Sequence, residues 1–328
     1  MDQHKLSLQL LLTLHLFASG VLSTTTFTVV NKCDYTVWPG ILSNAGIAPL
    51  TTTGFVLHTG ESKTVTAPTS WGGRFWGRTL CTQDSAGKFS CLTGDCGSGK
   101  LDCAGNGATP PATLAEFTLN GNGGLDFFDV SLVDGYNVPM LVAPQGGSGD
   151  NCTLTGCVGD LNGACPSELR VTNVDGKQSV ACKSACEAFG SPQYCCKGAF
   201  GSPNTCKPSA YSQIFKNACP RAYSYAYDDK TSTFTCASST DYTITFCPSP
   251  NDNPSQKSWQ GQNPKSDSGS SSSESPPQLN NGTMVYVGAM DESELSWSAG
   301  THVTVKESQA IASFVSITIA LWVLSQLW

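Results

Sequence analysis

All 16 cysteines of this 328-residue chain fall between Cys33 and Cys247. An even number of cysteines confined to one segment points to a disulfide framework of up to eight bridges, formed in an oxidising compartment. Spacing alone does not choose the pairing. Zinc is the competing use of cysteine, and Cys96, Cys103, Cys186, Cys195 and Cys196 can be sorted into four-ligand sets on paper. Free thiolates do not persist in an oxidising compartment, so no metal is expected. At about 2–4 kcal/mol each, a full set of bridges exceeds the roughly 5–15 kcal/mol that holds an ordinary domain together. Such an excess fits selection for survival among proteases, heat or acid outside the cell.

Both ends read as addresses rather than core. Residues 1–23 place Lys5 before an apolar run over residues 6–17, then the small residues Ala18, Ser19, Gly20 and Ser23. That is the layout of a secretory signal peptide cleaved near Gly20 or Ser23. Residues 310–328 are apolar apart from scattered Ser, Thr and Gln, and no basic residue follows them. Upstream lie a polar spacer over residues 301–309 and the small triplet Ser298-Ala299-Gly300. Small triplet, spacer of roughly 8–12 residues and apolar tail together form a GPI-attachment signal. Ser298 is the expected modified residue and residues 299–328 the expected propeptide. A tail-anchored helix is the alternative, although a spanning helix usually keeps basic residues on its cytoplasmic side. Residues 249–298 are dominated by Pro, Ser, Asn and Gln, with a serine run at residues 270–273, and read as a disordered stalk. Asn281-Gly282-Thr283 within it is a glycosylation sequon. Asn151-Cys152-Thr153 is a second, whose middle residue is expected to be bridged.

Residues 24–248 remain as the folded domain. Short alternating segments at residues 26–31, 33–40, 55–57, 63–66 and 74–79, separated by Gly and Pro, predict a mainly β fold, a sandwich or barrel. Residues 138–144 add another strand. Composition then shifts to a cysteine-dense stretch over residues 152–219, read as a disulfide-stapled lobe. Helical character shows at residues 166–169 and at residues 183–189, the latter stopped by Gly190 and Pro192. Strands return at residues 222–227, 233–236 and 242–247. A strand with a cysteine at each end of the domain suggests that the ends are tied together. The net charge of −7 is unchanged by removal of both ends, since Asp2 and Lys5 cancel, as do Lys306 and Glu307. No basic patch is visible, so a nucleic-acid role is not expected.

The chemistry concentrates at Thr113 to Asp134, which read as two strands around a glycine-rich turn. If they pair with their apolar residues on one face, Phe117 lies opposite Phe128 and Glu116 opposite Asp129. Like charges directly across a ladder are destabilising, so a chain that keeps them there has a use for them. Asp134 follows in an Asp-Gly turn. The plain alternative is that these acids are solvated on an outer face and that Asp134 only makes its turn. Histidine chemistry has little support: of His4, His15, His58 and His302, only His58 lies in the expected domain. The glycines at Gly121, Gly123 and Gly124 and at Gly146-Gly147 lack any Walker or dinucleotide pattern. No cofactor is expected.

These segments resemble the thaumatin-like family, which includes osmotin and zeamatin. The resemblance rests on Gly87-Lys88-Phe89-Ser90-Cys91-Leu92-Thr93-Gly94-Asp95-Cys96 and its continuation through Gly99 to Cys103. It rests equally on Pro110 to Glu116, Phe127 to Asn137, Cys195-Cys196, and Cys219-Pro220-Arg221-Ala222-Tyr223-Ser224-Tyr225. It covers about Thr25 to Cys247 and leaves out the stalk and anchor signal. The resemblance implies a flattened β-sandwich flanked by a cysteine-rich helical and loop lobe and a small disulfide loop domain. It implies the bridges Cys33–Cys247, Cys81–Cys91, Cys96–Cys103, Cys152–Cys236, Cys157–Cys219, Cys165–Cys182, Cys186–Cys195 and Cys196–Cys206. It also implies a cleft between sandwich and lobe lined by Arg74, Glu116, Asp129, Asp134 and Asp228.

Three uses of that cleft follow. Hydrolysis needs one protonated and one ionised carboxyl, with Glu116 as acid, Asp129 or Asp134 as base or nucleophile, and Arg74 limiting the repulsion. The resemblance implies at most a weak β-1,3-glucanase. Binding without turnover would use the same acids as acceptors for the hydroxyls of β-1,3-glucan or a related wall polysaccharide, or as a negative surface for a basic protein. The third reading is a receptor-like or structural cell-surface module. The expectation carried forward is a monomeric, secreted, GPI-anchored plant-defence protein of antifungal type that binds wall glucan at the outer face of the plasma membrane. Its acidic balance departs from the basic antifungal members of the family.

Overall fold

The computed structural model describes residues 24–237 and 241–249. The leader, most of the stalk with Asn281, Ser298 and the apolar tail lie outside the described residues. Among the described residues, no helix is long and apolar enough to cross a membrane.

Two sheets form the body. The first has five strands: β1 (Thr24–Asn31), β3 (Ser62–Pro68), β8 (Met140–Gln145), β9 (Thr155–Cys157) and β13 (Asp241–Phe246). They run in the order β3-β1-β13-β8-β9. The pairing of β1 with β13 is parallel, and the rest is antiparallel. The second sheet is built from β2 (Trp38–Ser43), β4 (Gly72–Gln83), β6 (Leu114–Thr118), β7 (Leu125–Ser131) and β12 (Phe234–Ala237). Its order is β12-β7-β6-β4-β2, with β5 (Phe89–Thr93) pairing the far end of β4. A two-stranded ribbon, β10 (Arg170–Thr172) with β11 (Ser179–Cys182), lies in the cysteine-rich lobe with helices α1 (Ala185–Phe189) and α2 (Ala210–Ala218). A last helical turn, α3 (Asp229–Ser232), leads into β12.

Alternation explains the sandwich. On β1, Phe27 and Val29 point inward and are fully buried. Phe27 packs edge-on against Phe117 of β6 at 4.7 Å between ring centroids and stacks on Tyr242 of β13 at 5.8 Å. Phe117 in turn stacks on Phe128 of β7 at 6.3 Å. One aromatic cluster thus joins both sheets. Rings of this kind contribute about 0.5–1.5 kcal/mol per pair beyond their buried area. The register of β6 on β7 is the one that the alternation requires: Phe117 opposite Phe128 and Glu116 opposite Asp129.

Several expected elements differ. The strand expected over residues 33–40 begins only at Trp38, and residues 55–57 contribute the isolated bridge of Leu57 to Val37 instead of a strand, next to the bridge of Gly54 to Gly40. Residues 166–169 form turns rather than helix. Residues 222–227 are not a strand, and Tyr223 alone bridges to Ser131. The cause is Asp228, whose Oδ2 accepts from both Ser224 N and Ser224 Oγ at 3.0 Å and closes the segment into a turn.

All 16 cysteines are bridged: Cys33–Cys247, Cys81–Cys91, Cys96–Cys103, Cys152–Cys236, Cys157–Cys219, Cys165–Cys182, Cys186–Cys195 and Cys196–Cys206. At the other sequon, Asn151 is exposed, and its amide nitrogen donates to Thr233 O at 2.9 Å. A glycosylated amide nitrogen keeps one hydrogen, so this bond is compatible with a glycan there.

Candidate functional site

The acids lie on the face of the second sheet that points away from the aromatic cluster. Ladder register sets Arg74 on β4 opposite Glu116 on β6, and Glu116 opposite Asp129 on β7. The three side chains form one row across three adjacent strands. Arg74 and Glu116 are half-buried, whereas Asp129 is only 1% exposed. Neither carboxyl oxygen of Asp129 makes a hydrogen bond within the chain, and neither does Nε of Arg74.

Asp129 sits where the partner of β7 changes. Residues 125–128 pair with β12, whereas Ser131 is bridged by Tyr223. Between these two partners lie Tyr223, Thr233 and Asp229. The Tyr223 hydroxyl donates to Asp229 Oδ1 at 2.8 Å and also meets Thr233 Oγ1. Burial pushes the Asp129 carboxyl well above the usual aspartate range, the negative charges of Glu116 and Asp229 push it further, and Arg74 opposes them. Glu116 is raised by burial too, with Arg74 pulling it down and Asp134 pushing it up. Burial thus biases both carboxyls of the row toward their protonated forms.

Asp134 occupies the turn after β7, half-buried, with its carbonyl accepting from Ala112 N at 3.0 Å. Gly135 follows at φ +84°, and a Cβ there would lie 2.6 Å from Cys182 O and 3.2 Å from Ser184 N. Tyr136 and Cys182 exchange backbone hydrogen bonds of 2.8 and 2.7 Å. The Asp134 turn is thus sutured to the chain that enters α1, and only glycine allows so close an approach.

Asp228 has another task. Lys216 Nζ on α2 lies 2.7 Å from its Oδ2, and Thr231 Oγ1 donates to Oδ1 at 3.0 Å. The carboxylate whose charge reaches Asp129 is that of the neighbouring Asp229. Sequence reasoning passed over Asp229, Tyr223 and Glu187. The doublet Asp228-Asp229 and the Ser184-x-x-Glu187 cap pattern were the available signals.

The arrangement offers half-buried carboxyls at Glu116 and Asp134, backed by a guanidinium and by Asp129, whose burial favours its protonated form. Asp129 was expected as a possible base or nucleophile. At 1% exposure its carboxyl lies behind Glu116, and its charge state acts on Glu116 across the ladder. Among the described residues, no cluster of His, Cys, Asp and Glu has metal-binding geometry.

Residues 31–248 match the model of the thaumatin family. The chain is 62% identical to Thaumatin-like protein 1 of Arabidopsis thaliana over 231 residues, covering 68% of this chain and 86% of the relative. It is 53% identical to a protein of Prunus avium named glucan endo-1,3-beta-glucosidase, covering 72% of this chain and 96% of the relative. It is 54% identical to the PR5-like receptor kinase of Arabidopsis thaliana, covering 74% of this chain but 37% of that longer protein. By the family match and by its identity to relatives covered over 86% and 96% of their length, the chain belongs to the thaumatin family.

Proposed function

We propose that this protein is a secreted defence protein whose acidic face, between sandwich and lobe, binds β-1,3-glucan or a related wall polysaccharide. The observation that carries this reading is the row of Arg74, Glu116 and Asp129 across three strands, with Asp129 buried and neither of its oxygens bonded within the chain, a setting that favours protonated carboxyls. A fully ionised acid cluster would favour a basic protein. A partly protonated one presents O–H donors beside carboxylate acceptors and so matches neutral sugar hydroxyls, which both donate and accept.

A second reading, weak hydrolysis, is favoured by the same pattern and by the name of the Prunus avium relative. A raised carboxyl serves as general acid. Glu116 would protonate the leaving oxygen and Asp134, the other half-buried acid, would act as base or nucleophile. Binding to insoluble β-1,3-glucan and release of reducing ends, measured beside Glu116→Gln, separate the two. Binding kept and release abolished by the variant makes the protein an enzyme with Glu116 as acid. Binding without release in either protein makes it a lectin-like module. Neither binding nor release in the wild type refutes the polysaccharide reading.

We also propose attachment to the plasma membrane through a GPI anchor near Ser298, on the support of the small triplet, spacer and apolar run in the sequence. Phosphatidylinositol-specific phospholipase C is expected to release the protein from intact cells expressing the full chain. Retention on the cells, with release only by detergent, would favour a spanning helix.

A further inference from the structure

The lobe brings its own carboxyl to the seam. Glu187 lies on α1, three residues after its N-cap Ser184, whose Oγ accepts from Glu187 N at 3.2 Å. The same cap is the segment against which Gly135 packs, with Asp134 immediately before it. The suture that fixes the Asp134 turn therefore also holds the segment that carries Glu187 near it, and the Asp134 charge is felt at Glu187. Glu187 is held from its own side by Lys183, whose Nζ stands 3.6 Å from Oε1. Its other oxygen, Oε2, is enclosed and makes no hydrogen bond within the chain. The side chain keeps 18% of its surface exposed, so a ligand would meet it from the side of Oε1.

We propose that Glu187 is the lobe-side ligand residue of this site, so that a sugar lying at the seam is gripped by Glu116 and Asp134 from the sandwich and by Glu187 from the lobe. This rests on the polysaccharide reading above. The charged groups around Glu187 are Lys183 on its own segment and Asp134 on the facing turn, with Glu116 and Arg74 behind Asp134. Burial is the largest influence and Asp134 adds to it; Lys183 opposes both, and the Glu187 carboxyl is pushed up to about 7. Below that pH, Glu187 donates a hydrogen bond to a sugar oxygen and Asp134 accepts one from a hydroxyl. Above it, two like charges face each other across the seam and the donor is gone.

The test is calorimetric titration of the disulfide-bonded protein with soluble β-1,3-glucan at about pH 5.5 and about pH 8. The wild type is expected to bind about tenfold more weakly at the higher pH, because a carboxyl one unit above its pKa is about one-tenth protonated. Glu187→Gln, a permanent neutral donor, is expected to keep its affinity within about twofold between the two. Lys183→Met removes the cation that holds Glu187 down, so its loss of affinity should move to higher pH. A merely structural Glu187 would not produce that displacement. An unchanged tenfold loss in Glu187→Gln, or an unmoved midpoint in Lys183→Met, overturns the proposal while the glucan reading stands. No binding by the wild type at either pH overturns both.

Discussion

Asp129 shows how one buried residue shapes the chemistry of its neighbours. A carboxyl at 1% exposure with no hydrogen-bond partner in the chain carries a large desolvation penalty when ionised, which favours its protonated form. That proton spares Glu116 a full negative charge directly across the ladder. Because the folded pKa lies above the unfolded value, the contribution of Asp129 to stability is complete below about pH 4 and is lost as pH rises through the folded pKa. Asp129→Asn does not titrate, and its amide can donate to Glu116. The variant is therefore expected to match the wild type near pH 4 and to become more stable than it as pH rises to 8. Each kcal/mol of difference would appear as about 2–4 °C in Tm for a domain of this size. Thermal unfolding of both proteins across that range checks it. A wild type that gains stability with pH relative to the variant would mean that Asp129 is ionised and held by Arg74.

At the scale of elements, legibility followed the strength of the local pattern. β6 and β7 could be paired from the sequence because Ala115, Phe117, Phe128 and Val130 fill one face, so a one-residue slip would turn all four to the other side. β5 was hidden because glycine and cysteine mask its alternation, and it is held by pairing to β4 with Cys81 opposite Cys91. Helix α2 carried a capping box, Ser209 with Ser212, and an apolar spacing at Tyr211, Phe215 and Ala218. The density of cysteines around it drew attention from that pattern. The tyrosine alternation over residues 222–227 imitated a strand, whereas Lys216 and Asp228 across α2 and α3 impose a turn. Of the site, Glu116 and Asp129 were legible as a pair because the register of neighbouring strands is a local matter, whereas Arg74 came from the family resemblance alone and joins the row through the distant strand β4. Asp229 and Glu187 were not, because their approach depends on the partner switch along β7 and on the Gly135 suture, both products of tertiary packing.

At the scale of the molecule, the bridges divide into long and short closures, and the two classes should act differently. Cys33–Cys247 closes a separation of 214 residues and ties the ends of β1 and β13, which already lie side by side in parallel. Cys96–Cys103 closes a separation of only 7 beside a small cluster around Trp76. Chain entropy in the unfolded state rewards the first more, by about 5 kcal/mol against about 2 kcal/mol. The double replacement Cys33→Ser with Cys247→Ser is expected to cost about twice as much stability as Cys96→Ser with Cys103→Ser, measured by guanidinium unfolding with the other bridges intact. The strands that the long bridge joins also carry Phe27 and Tyr242 of the aromatic cluster. Loosening the ends therefore reaches Phe117, and through β6 it reaches Glu116 on the opposite face. Glucan binding should weaken in the long-bridge variant before the fold is lost, and should survive in the short-bridge variant. The reverse order of stabilities would show that these bridges act through native-state packing around each sulfur pair and not through the length of chain they close.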